Sequence, residues 1–170
     1  MIKRSRNPIR RALRDDSYLQ TEVKDGFAAV KASHRDHFEE SVRSTFVDSL
    51  DADEALREGH EQENRWDYLL GHQASQQLIA VEPHSAKQDE VSTIIRKRTA
   101  ALEQLKAHLR DDAKVAKWLW VASGKVHFAE TEKVKVRLDQ NGIEFVGTKV
   151  LAKHLPSPTR KIETRRKSKK

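Results

Sequence analysis

The stretch that most constrains this chain covers residues 66–97 and reads WDYLLGHQASQQLIAVEPHSAKQDEVSTIIRK. Two apolar runs, 66–70 and 78–81, are separated by a polar segment beginning at Gly71, the pattern of two strands joined by a hairpin turn. Asp67 sits near the start of the first run, and Glu82 near the end of the second, two places before His84. Antiparallel pairing sets the start of one strand beside the end of the other, so two acids distant in sequence become neighbours at one edge of a small sheet. A helix over about 89–109 should follow, because Val91, Ile94, Ile95, Leu102, Leu105 and Leu109 recur at helical spacing.

The flanking segments supply the rest of an α/β domain. Residues 17–32 suggest a short helix. From Ser33 a longer one is expected: Ser33 caps it, Asp36 takes the capping-box position, and Phe38, Val42, Phe46 and Leu50 form an apolar stripe. Steps of 100° per residue put Glu39 at the edge of that stripe and Glu40 well outside it. Residues 51–58 extend this helix or add a short one, with Gly59 as the stop. HEQENR, residues 60–65, is wholly polar, so either a strand there is very short and exposed or the Asp-bearing run from Trp66 serves with few neighbours. Within 115–122, Trp118 and Trp120 alternate with Leu119 and Val121, so both faces are covered and a central strand is expected. Thr131 can cap a helix ending at Asn141-Gly142, although VKVRL also alternates as a strand would. A short strand over 143–146 and a last turn to Leu155 complete the domain. Strands alternating with helices indicate α/β.

A strand with Asp, a strand with Glu-x-(Lys or His), then a helix: this order resembles the core of the PD-(D/E)XK, or restriction-endonuclease-like, nuclease superfamily. The resemblance spans roughly residues 33–155 and is carried by Asp67, by Glu82-Pro83-His84 and by the helix after them. It implies a small mixed sheet flanked by helices and a Mg²⁺ site, with Mn²⁺ as the alternative. Asp67 and Glu82 would be its ligands, assisted by Glu39 from the first helix and by the carbonyl of Pro83. Mg²⁺ favours one or two carboxylates plus waters, which suits that set. His84 stands where the superfamily has its lysine, and a neutral imidazole holds positive charge poorly. Lys87 in the turn and Lys97 on the helix are the nearby cations, and related nucleases move the lysine onto that helix, so His84 and Lys97 are the catalytic candidates. His34, His37 and His60 form a weaker zinc alternative without a fourth ligand.

Composition bounds the partners. The net charge of +7 is uneven: residues 1–16 carry six Lys/Arg against two Asp, and 156–170 carry seven against one Glu, leaving the body at 7 − 4 − 6 = −3. The expected organisation is a basic N-terminal arm over 1–16, an α/β domain over 17–155, and a basic disordered tail over 156–170, with both ends frayed. Such ends suit DNA or RNA through phosphate contacts. There is no cysteine, hence no disulfide or thiolate zinc site. No apolar run approaches the roughly 20 residues that cross a bilayer, and MIKRSRNPIRR lacks a signal-peptide apolar segment, so a cytoplasmic, membrane-free protein is expected. Two functions remain open: a metal-dependent nuclease or its degenerate relative, and a non-catalytic nucleic-acid-binding or assembly module with a nucleic-acid or protein partner.

Overall fold

The computed structural model describes residues 6–127 and 132–158 of the chain. In order, the elements are α1 (Pro8–Ala12), α2 (Leu19–Glu22), β1 (Lys24–Asp25), α3 (Glu40–Arg43), β2 (Phe46–Asp51), α4 (Ala52–Ala55), β3 (Tyr68–His72), β4 (Gln77–Ala86), α5 (Glu90–Lys106), β5 (Val115–Val126), α6 (Glu132–Gln140) and β6 (Ile143–Phe145), with 3₁₀ turns at Ala32–His37 and Ala152–His154. The strands form one mixed six-stranded sheet in the order β1-β2-β3-β4-β5-β6. Pairing is antiparallel from β1 through β4 and parallel from β4 through β6. The helix α5 is the crossover that a parallel β4–β5 pair requires.

Alternation along the strands builds a core on each face. Leu69, Ala80, Trp118 and Trp120 pack on one side with Ile9 and Leu13 of the N-terminal segment, Ile94 and Leu105 of α5 and Leu138 of α6. Tyr68, Leu70, Ile79, Val81, Leu119 and Val121 face the other side, against Val30, Phe38, Val42 and Val150. The expectation of a central strand at 115–122 therefore holds, with β4 and β6 as its neighbours. The hairpin holds as well, shifted by two residues: Gly71 lies inside β3 rather than opening the turn.

The long helix expected from Ser33 does not form. A 3₁₀ turn covers Ala32–His37, α3 is four residues long, and Phe46 and Leu50 belong to β2. Thr45, Phe46 and Val47 favour extended backbone, and β3 offers β2 a full ladder. A bulge between Phe46 and Asp48 sends Phe46 to one core and Leu50 to the other. This strand also fills the gap left by the polar 60–65 segment. Residues 8–13 of the expected N-terminal arm are likewise not frayed, while residues 1–5 lie outside the described residues. Ile9 and Leu13 are fully buried, and Leu13 bridges to Leu109. Sparse as they are, these apolar residues cover an otherwise open stretch of the sheet. Thr131 and residues 159–170 of the expected tail lie outside the described residues, within which no helix is long and apolar enough to cross a membrane.

Candidate active site

Asp67 and Glu82 meet as the hairpin demands. Tyr68 pairs with Val81, which sets Asp67 opposite Glu82 one step further along. The Asp67 backbone N–H donates to Glu82 Oε1 at 3.0 Å. Asp67 is also pinned from its other side, its carbonyl accepting from the N–H groups of Ala52 at 2.8 Å and Asp53 at 3.3 Å. Its carboxylate makes no hydrogen bond among the described residues. Both acids share the sheet face that carries Leu69 and Ala80, the face α5 covers.

On α5 the buried stripe is Val91, Ile94, Ala101 and Leu105. Lys97 stands three residues after Ile94 and four before Ala101, so it points at the sheet. Its ammonium donates to Glu82 Oε2 at 2.9 Å, with the lysine side chain 16% exposed and that of Glu82 1% exposed. Burial first, then the Asp67 carboxylate, push Glu82 up to about 8 against the pull of Lys97. Asp67 is raised too, by burial, with Lys97 opposing. Two acids forced together in a dry place resist ionising jointly, and a cation between them relieves that repulsion.

His84 belongs to the same group but has a partner of its own. Its Nε2 lies 2.8 Å from Glu90 Oε2, and its Nδ1 lies 3.8 Å from Glu82 Oε2. Ser85 Oγ donates to the other Glu90 oxygen at 3.3 Å. Nothing in the sequence points to the Glu90 contact; an acid in the first turn of a helix reads there as a response to the helix dipole.

The remaining candidates lie elsewhere. Glu39 is exposed, on the N-terminal cap of α3, with its N–H bonded to the Val150 carbonyl. It follows Phe38, a residue of the opposite core, so it does not join Asp67 and Glu82. The physical reason is that the helix whose stripe would carry it inward breaks into a 3₁₀ turn and a single α-turn. Lys87 is exposed. His34 bonds Tyr68 Oη at 2.5 Å and His60 pairs with Glu63, so the three histidines do not converge. Among the described residues no group of three or more His, Asp or Glu forms a metal cage. A cation at Asp67 and Glu82 would have two carboxylates and complete its shell with water, the coordination that Mg²⁺ favours. The Asp67 carboxylate, with no hydrogen bond among the described residues, fits such a role.

Comparison with protein-family models, curated proteins and solved structures finds no match for this chain.

Proposed function

We propose that this protein is a metal-dependent nuclease of the restriction-endonuclease-like type, with its active-site lysine on the helix after the Glu-bearing strand. The observation that carries the reading is the Lys97 ammonium, 2.9 Å from buried Glu82 and on the same sheet face as Asp67. The chain order β2, β3 preceded by Asp67, β4 with Glu82-Pro83-His84, α5 and β5 supports it. Asp67 and Glu82 would hold a divalent ion, Mg²⁺ or Mn²⁺, which would supply Lewis acidity to the phosphate and acidity to a bound water. The Lys97 ammonium would offset negative charge building on the phosphate oxygens, the role of the superfamily's lysine. His84, oriented by Glu90, offers a ring nitrogen to water or substrate at the strand end. The substrate is DNA or RNA.

A specific observation favours the second reading, a non-catalytic binding or assembly module: both Glu82 oxygens already accept from protein donors, Asp67 N–H and Lys97. Melting curves with and without Mg²⁺ or Mn²⁺, beside cleavage assays on DNA and RNA, separate the two. For the nuclease, the ion stabilises the fold by RT ln(1 + [L]/Kd), about 2.7 kcal/mol at a hundredfold excess over Kd. Asp67→Asn and Glu82→Gln each abolish that stabilisation, while Lys97→Met keeps it and loses about 10²- to 10³-fold in cleavage rate. A wild type with neither a metal shift nor cleavage leaves the module.

A further inference from the structure

At the opposite end of β4 from Glu82, about 17 Å along the strand for five residues, lies a cavity of about 770 Å³. It opens between α1, the turn joining β3 to β4 and the chain entering β5. Arg10, Arg11, Arg110 and Lys114 line it against two acids, Asp15 and Asp112. The ion pairs decide which charges are free. Arg10 is neutralised by Asp25 at 2.7 Å and Arg110 by Asp15 at 2.7 Å. Among the described residues Arg11 is held only by neutral oxygens, the Gln76 side-chain carbonyl at 2.9 Å and the Gln76 backbone carbonyl at 3.1 Å. Lys114 and Asp112 have no partner among the described residues. One positive charge is therefore left over, in a space the size of a small-molecule site.

The arginines are fixed in place before any ligand arrives. Arg110 Nε donates to the Arg11 carbonyl at 3.1 Å, and the Gln76 amide is itself anchored to the Gln73 carbonyl at 2.7 Å. Gln76 adopts φ 57°, the one described non-glycine residue in the left-handed region. That conformation costs energy for a residue with a Cβ, and here it presents both carbonyls of Gln76 to one guanidinium. Arg11 keeps N–H donors beyond the two it uses, in the planar fork that suits phosphate oxygens.

We propose that this cavity binds a phosphate group, of a free nucleotide or of a nucleic-acid strand, through Arg11 and Lys114. The proposal does not rest on the nuclease reading. Calorimetric titration of the full chain with pyrophosphate, adenosine 5′-monophosphate and a short single-stranded oligonucleotide tests it. At least one probe binds the wild type, and Lys114→Gln, which breaks no interaction among the described residues, weakens that binding about tenfold, the size of one charge-assisted hydrogen bond. Arg11→Gln weakens it at least as much, and Asp112→Asn tightens it. Binding of the two small probes identifies a free nucleotide as the source; binding of the oligonucleotide alone, with the same loss in Lys114→Gln, identifies a strand. No binding by any probe, or equal binding by wild type, Lys114→Gln and Arg11→Gln, overturns the proposal.

Discussion

Gly71 shows how much a single position can carry. It reads in the sequence as the opening of a turn, yet it sits in β3 opposite Asp48 of β2. A Cβ added there would lie 1.8 Å from Asp48 Oδ1 and 3.1 Å from Pro8 Cδ. Asp48 cannot retreat, because its other oxygen accepts from Ile9 N–H at 3.0 Å and Arg10 N–H at 3.2 Å. Gly71→Ala should therefore destabilise the fold by about 3 kcal/mol, the upper range for overpacking, measured by urea denaturation. Combining it with Asp48→Ala should recover part of the loss, since the two changes share one clash. Of the catalytic candidates, Asp67, Glu82, His84 and Lys97 are all legible as residues in the sequence. The hairpin sets Asp67 beside Glu82, whereas Lys97 joins them only if its helical face looks inward, which its bond to Glu82 shows. Glu90 is not legible, because no local pattern says which side chain a first-turn acid will meet.

Elements are legible where a segment has a single period. The hairpin, α5 and β5 each do, and each forms within a few residues of expectation. The segment from Ser33 to Leu50 reads as helix from its i, i+4 spacing, yet its Thr45-Phe46-Val47 favour extended backbone. Pairing with β3 decides for the strand, taking Glu39 away from the site. The helix α1 shows the same dependence on tertiary context, since its five residues are far too few to persist alone. Asp48 receives its N-terminal N–H groups from across the sheet. Burial pushes Asp48 up to about 6, against the pull of those N–H groups and of Arg10. An acid whose folded pKa is raised binds its proton more tightly in the folded state. Its contribution is complete below the unfolded carboxyl's range near pH 4 and is lost as pH rises through about 6. Stability should accordingly fall by on the order of 2–3 kcal/mol across that window on account of this group. In Asp48→Asn that part of the slope should vanish. Denaturation midpoints at several pH values read the slope, whatever the absolute stability of the variant.

For the whole molecule, the sum of charges is more informative than any one of them. Residues 157–170 hold seven Lys/Arg and one Glu, enough to neutralise several phosphates. Under the nucleic-acid reading, deleting them should weaken binding to DNA and flatten its salt dependence by about 0.9 in log K against log salt for each phosphate no longer neutralised. The melting temperature should not move. Binding measured from low to moderate salt on full-length and truncated chains checks this, and an unchanged slope would assign the segment no part in binding. The sequence by itself determined the α/β class, the hairpin that joins Asp67 to Glu82, and the apolar stripe of the helix on which Lys97 stands. All three follow from periodicity and from pairing geometry between segments close in the chain. Only the tertiary structure decided that β2 is a strand, that the N-terminal segment belongs to the core, that Glu39 stands apart, and that Arg11 meets Gln76. Those outcomes depend on interactions between segments distant in sequence, where burial and ladder pairing outweigh local preference.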